Sequence, residues 1–216
     1  MSSKIAVIGG TGKLGSALAW RLARAGRNVI IGSRTADSAA EKAAELGHRL
    51  TGMANAEAAA AADLVIVTVP FDAQATTLED IKLHVTGKIV VDTSVPLVPP
   101  KVMRVQMPPE GSAAAKAAAI LGEDVRLVSG FHNVAAHKLA QDVDVDCDIL
   151  IFGDEKAART EVVALVDAIG LRGVHAGALV NSAAAEAMTS LLIFINKFYQ
   201  VDGAGIRITG EFGPAD

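Results

Sequence analysis

Lys4-Ile5-Ala6-Val7-Ile8-Gly9-Gly10-Thr11-Gly12-Lys13-Leu14-Gly15 is the stretch that decides the fold. Its first half is a short apolar, β-branched run that ends in glycines, the mark of a buried strand. Its second half opens a helix. Leu14, Leu18 and Leu22 recur on one helical face, and Gly26 follows as a stop. Between strand and helix, Gly10-x-Gly12-x-x-Gly15 spells GxGxxG. In that setting each glycine has a task. Gly10 permits the tight turn, Gly12 lets an anionic ligand approach the backbone, and Gly15 lets the helix close on the strand. The free N–H groups and the positive dipole end of the helix then face a pyrophosphate. This pattern predicts a dinucleotide site.

The alternation continues outward from this unit. Asn28–Gly32, Leu64–Val69, Lys88–Asp92, Val125–Ser129, Asp148–Phe152 and Arg172–His175 read as strands, with a further short one near Arg49–Thr51. Helical patterns cover Ala36–Leu46, Asn55–Ala62, Asp72–His84, residues 111–121, Asn133–Ala140, Glu155–Ile169 and Asn181–Gln200. Gly205–Thr209 reads as an extended tail. The strands are continuous apolar runs, so the expected architecture is α/β. It is a Rossmann-type, doubly wound, mainly parallel sheet covered on both faces, with a small C-terminal helical extension. The alternating pattern stops near residue 177. Residues 1–177 are therefore expected to form the dinucleotide-binding domain, and 178–216 a helical region beside it.

Composition narrows the function. The 216 residues are 51% hydrophobic and 20% charged, which excludes a disordered chain. A net charge of −4 argues against a general nucleic-acid binder. The apolar segment near 183–195 is interrupted by Glu186, Thr189 and Ser190, and no signal-peptide core follows the N-terminus. No membrane partner is expected. A single cysteine, Cys147, fits a cytoplasmic protein and reads as buried filler. No metal is expected: CxxC and HExxH are absent, and His132 and His137 are five apart.

The candidate site residues lie after the strands. The second strand leads into Ser33-Arg34 where an NAD site carries a carboxylate. A hydroxyl and a guanidinium there suit a 2′-phosphate, and Thr11 adds a second hydroxyl, so NADP(H) is favoured over NAD(H). Val69 and Pro70 end the fourth strand, either as a cofactor contact or as a plain strand terminator. Pro96 borders the nicotinamide end of the same crevice. His132 follows a further strand, where it is either a structural histidine or a group that bonds or protonates a substrate. The only tyrosine is Tyr199, so no Tyr-x-x-x-Lys pair serves a carbonyl reduction. An acceptor that needs little acid help, such as a flavin-like ring, fits better. Met188, Leu191, Leu192, Ile195, Phe198 and Tyr199 share a helical stripe. It reads as core-facing, or as a subunit interface or ring wall.

Taken together, several of these stretches resemble one family, the NADPH-dependent reductases of coenzyme F420, an 8-hydroxy-5-deazaflavin. They are Gly9-Gly10-Thr11-Gly12-x-x-Gly15, Ile31-Gly32-Ser33-Arg34, Thr68-Val69-Pro70 and Val90-Val91-Asp92 with Val95-Pro96-Leu97. Phe131-His132-Asn133-Val134 and Ala204-Gly205-Ile206-Arg207-Ile208-Thr209-Gly210 are the more specific matches, and the likeness runs through nearly the whole chain. The resemblance implies reversible hydride transfer between NADP(H) and coenzyme F420. It implies that Thr11, Ser33 and Arg34 hold the 2′-phosphate and that Gly12, Lys13 and Leu14 meet the pyrophosphate. His132, Asn133 and Val134 would lie beside the deazaflavin. It also implies a homodimer to which the C-terminal helix contributes. Departures fall at Ala135-Ala136 and at His175–Leu179. Other acceptors (a flavin, an imine, a quinone) and a non-enzymatic NADP sensor are the alternatives.

Overall fold

The computed structural model describes residues 3–213. The strands are β1 (Lys4–Ile8), β2 (Asn28–Ser33), β3 (Thr51–Ala54), β4 (Leu64–Val67), β5 (Ile89–Asp92), β6 (Arg126–Ser129), β7 (Asp148–Gly153) and β8 (Arg172–His175). The helices are α1 (Lys13–Arg24), α2 (Ala36–Leu46), α3 (Asn55–Ala61), α4 (Phe71–Ile81), α5 (Ala113–Leu121), α6 (Ala136–Leu139), α7 (Lys156–Ala168) and α8 (Ser182–Tyr199). The strands form one sheet in the order β3-β2-β1-β4-β5-β6-β7-β8. All neighbours pair in parallel except β6 and β7. The expected α/β Rossmann-type architecture is therefore present.

Two apolar layers flank the sheet. Ile5, Val7, Leu18, Leu22, Ile66 and Val91 lie in the core on one face, and Ala6, Ile8, Val65, Leu78 and Val90 in that on the other. Both faces of β1 and β4 are therefore buried, which is why these strands read as unbroken apolar runs.

The connection from β1 to α1 leaves no room for a side chain at two of its glycines. A Cβ on Gly15 would lie 2.7 Å from both the Gly10 Cα and the Gly9 carbonyl oxygen, and would also strike Thr68 Oγ1. A Cβ on Gly10 would lie 2.6 Å from the Val7 carbonyl oxygen. At the rear of α1, the buried Arg21 donates to the carbonyls of Leu139, Gln141 and Val143, and across to Ile169. These bonds fix a segment that has no strand pairing of its own.

Two details differ from the sequence expectation, at α6 and at α8. The helix expected over Asn133–Ala140 is only the single turn of α6, because Asn133 is held elsewhere by its side chain. The tail around Gly205–Thr209, read as extended, is held against the start of β7 without joining a sheet: the Ile206 carbonyl accepts from the Asp148 N–H, and Ile208 N–H donates to the Asp148 carboxylate. That carboxylate also pairs with Arg172, which holds its pKa below the usual range. The α8 stripe is mostly solvent-facing: Leu192 is buried and Ile195 half-buried, while Met188, Leu191, Phe198 and Tyr199 are exposed, as is the neighbouring Phe194. The core face of α8 is instead polar, with Ser182, Glu186 and Ser190 buried. Leu179–Tyr199 is long and apolar enough by composition to cross a membrane. In the fold it packs this polar face against the domain.

Gly15→Ala is expected to destabilise the protein by roughly 1–3 kcal/mol, the scale for forcing an extra carbon into a filled site. Thermal or denaturant unfolding checks this, and an unchanged midpoint would contradict the close approach.

Candidate functional site

β1 to β6 run parallel, so the loops after β1, β2, β4, β5 and β6 emerge at one edge of the sheet. The strand order reverses between β1 and β4, the switch point where open α/β sheets bind ligands.

The glycine loop sits there. Gly12 occupies the N-cap position of α1 with extended backbone (φ −75°, ψ 168°). It has no side chain to cap the helix, and the first turn carries no acidic residue. The leading N–H groups of α1 are thus left to an incoming anion. Gly10 N–H donates to the Gly32 carbonyl and locks the loop to β2. A Cβ on Gly12 would meet only the Gly9 oxygen, at 3.3 Å, so its open side faces solvent. An uncapped helix N-terminus and an open glycine backbone thus meet at this loop.

A cavity of about 310 Å³ adjoins this loop. It brings together Thr11, Gly12, Ser33, Arg34, Val69 and Pro70. Thr11, Ser33 and Arg34 also line a second, outer cavity of about 590 Å³ that runs along α2. Ser33 is buried and Arg34 exposed. The hydroxyl thus forms the floor and the guanidinium the rim of a pocket suited to a phosphate. A further cleft near Arg21 and Asp142, of about 420 Å³, lies away from these loops, and its Arg21 is already spent on backbone carbonyls.

Farther along the same edge, the structure gathers the second group. Pro96 is buried. Asp92, at the end of β5, accepts from Ser94 Oγ (2.7 Å) and from Gln74 Nε2 (2.7 Å). Burial raises its pKa to about 6. After β6 the chain turns through Phe131, a bulky residue held at φ 64°, in the left-handed region. That turn directs His132 inward. Its Nε2 shares a hydrogen bond with Ser129 Oγ (2.9 Å), and its ring lies 6.1 Å from that of Phe152. Burial lowers its pKa to about 4, so the ring is neutral at pH 7.

Asn133 donates through Nδ2 to the Ala185 carbonyl and to Thr189 Oγ1, and Thr189 Oγ1 donates to the His132 carbonyl. Its side chain therefore clamps the loop to α8. Val134 is half-buried beside it. The structure places His132, Asn133 and Val134 in this β6–α6 loop, apart from the walls of the 310 Å³ cavity.

Sequence reasoning missed two groups. One is the buried Asp92–Gln74 pair together with Glu186, whose carboxylate accepts from the N–H groups of Ala113 and Ala114 at the start of α5. The other is Asn55, which lines the 310 Å³ cavity from the carboxyl end of β3. Its signal was a lone polar residue where a strand meets an Ala-rich helix.

Residues 4–96 match the family model described as NADP oxidoreductase coenzyme F420-dependent. The F420-dependent NADP reductase of Methanocaldococcus jannaschii is 40% identical over 221 residues, covering 95% of this chain and 98% of the relative. That of Methanothermobacter thermautotrophicus is 41% identical over 222 residues, covering 97% and 96%. The chain belongs to the F420-dependent NADP reductase family. A solved structure from Arthrobacter sp. FB24, described as a candidate F420-dependent NADP reductase, shares the fold of this family member with a TM-score of 0.85. It covers 97% of this chain and all (100%) of the other at 23% identity.

The His132 environment makes a pH prediction for this family member. The unfolded chain takes up the proton near pH 6.5, while the buried ring resists it until about pH 4. His132 therefore costs no stability above the unfolded value and an increasing amount as the pH falls through this window. His132→Asn is expected to gain melting temperature relative to the wild type between pH 7 and pH 4. A constant gap across that range would contradict a neutral buried ring.

Proposed function

We propose that the protein transfers a hydride between NADP(H) and coenzyme F420, with the cofactor spanning the strand ends from Ser33 and Arg34 toward His132. The observation that carries this reading is the pairing of an uncapped α1 N-terminus with the Ser33–Arg34 pocket in one cavity. The curated relatives bear the name of the same reaction. The nicotinamide and the deazaflavin supply the redox chemistry, hydride passing between nicotinamide C4 and deazaflavin C5.

The protein's own residues bind and orient. Lys13 and Leu14 offer backbone N–H groups to the pyrophosphate. Arg34, Ser33 and Thr11 hold the 2′-phosphate, and no carboxylate stands at the end of β2 to repel it. Val69 and Pro70 form an apolar wall beside the cofactor. Pro96 packs under the nicotinamide end, fixed through the Asp92–Ser94 turn. His132, neutral and tied to Ser129, serves as a hydrogen-bonding edge that orients the acceptor ring and releases no proton near pH 7. Asn133 and Val134 shape the same loop. Hydride transfer between two aromatic rings needs alignment more than acid catalysis, which suits this set.

Mixing the purified protein with NADPH and oxidised F420 is expected to bleach the deazaflavin band, with FMN, FAD and NADH as slow controls. Arg34→Ala is expected to weaken NADPH binding by about 1.5–3 kcal/mol, the scale of a lost charge-assisted bond, and to leave NADH nearly unaffected. Equal losses for both nucleotides would remove the 2′-phosphate role. Faster reduction of FMN than of F420 would transfer the reading to another acceptor.

We further infer a cytoplasmic homodimer built on α8, residues 178–213 forming the extension that carries it. The support is the solvent-facing apolar strip, in which the Phe194 and Phe198 rings stack at 5.5 Å and are 49% and 65% exposed. Patches of this kind mark subunit contacts. Light scattering is expected to give about twice the 22.2 kDa chain mass for the wild type and a monomer for Phe194→Asp/Phe198→Asp. A monomeric wild type would refute the seam.

A further inference from the structure

We infer that Asn55 grips the adenosine ribose of NADP(H), its side-chain amide sharing a hydrogen bond with the 3′-hydroxyl. The proposal rests on the NADP(H) reading of the cavity. Asn55 is only 7% exposed, and its Oδ1 has no hydrogen-bond partner. Its amide bonds to no other side chain or backbone group among the described residues. Folded proteins rarely bury an amide oxygen unpaired, and such atoms point to a missing partner.

The surroundings say where that partner lies. The β2–β3 register sets Ser33 opposite Ala54, so Asn55 stands one residue past the pocket assigned to the 2′-phosphate. A Cβ at Gly32 would come within 3.0 Å of Asn55 Oδ1. The absent side chain at Gly32 thus leaves room for the amide beside the turn into Ser33. Asn55 is not the helix cap, because Ala54 occupies that position. The amide therefore has no local backbone duty, and it forms part of the cavity wall with Gly9, Thr11 and Ser33.

The chemistry selects the group. A pyrophosphate only accepts, so it cannot satisfy Oδ1. A ribose hydroxyl both donates and accepts, as a carboxamide does. With the 2′-phosphate on Ser33 and Arg34, the 3′-hydroxyl sits on the adjoining ribose carbon. Asn55, one residue past that pocket, is in register to take it. Because NADH carries the same hydroxyl, Asn55 grips both nucleotides, while Arg34 tells them apart.

The test is a cycle of dissociation constants for wild type and Asn55→Ala with NADPH, NADH, 3′-deoxy-NADPH and 6-deamino-NADPH. The variant is expected to bind NADPH and NADH about five- to tenfold more weakly, the range for one hydrogen bond. The same loss is expected with the 6-deamino analogue, and none with the 3′-deoxy analogue. The ligand-free melting temperature is expected to hold or rise, since alanine removes an unpaired group and favours the helix. Unchanged NADPH affinity would overturn the proposal. So would a loss that vanishes with 6-deamino-NADPH, which would assign Asn55 to the adenine amino group. A lowered melting temperature with equal losses for NADPH and its 3′-deoxy analogue would make Asn55 structural. Wild-type protein that binds 3′-deoxy-NADPH as tightly as NADPH overturns it without any variant. Wild-type protein that binds no NADPH would overturn the cofactor reading and the proposal with it.

Discussion

The contact between Gly15 and the backbone of Gly9 and Gly10 is the constraint on which the molecule turns. There is no space for a single carbon between α1 and the loop that precedes it. That closeness brings the open N-terminus of α1 to the edge where β1 and β4 part. It also places Thr68, whose hydroxyl donates to the Ile8 carbonyl, against the same junction. Helix dipole, free N–H groups and switch point coincide because the chain crosses itself there at backbone distance.

The His132 end of the crevice is organised by a different means. There the chain uses buried polar side chains where the nucleotide side uses missing ones. Asp92 ties α4 to the loop after β5, Glu186 ties α8 to the start of α5, and Asn133 and Thr189 tie α8 to the His132 loop. Asp92 and Glu186 both have raised pKa values, burial being the main cause in each. Each carboxylate is a stability cost to a fold that keeps them. What they supply is position: α8 is brought to the crevice by hydrogen bonds, and its apolar strip is left facing outward.

This difference explains what was legible in the sequence. The nucleotide half was readable because glycines at fixed spacing, and Ser33-Arg34 after a strand, are local signals. Gly10, Gly12, Gly15, Ser33 and Arg34 need only their neighbours to be understood. The helix over Asn133–Ala140 shrank to one turn because Asn133 spends its amide on a helix 52 residues away, which no local pattern encodes. The α8 periodicity was real, but its sign was hidden. Apolar spacing marks a face, and only the partners of Glu186 decide that the opposite face is the inner one. Asn55 stood out in the sequence only as a polar residue at a strand–helix junction, and its unpaired oxygen is a fact of three dimensions.

Arg21 couples the glycine loop to the segment behind the His132 loop. Its guanidinium, on the helix set by the glycine loop, holds the carbonyls of residues 139–143, about 120 positions later in the chain, and that of Ile169 at 148. The segment behind the His132 loop has no sheet pairing of its own, so these bonds are its main anchor. Any displacement of α1 at the glycine loop is therefore passed through one guanidinium to the far end of the crevice, and the two ends share a single rigid strut.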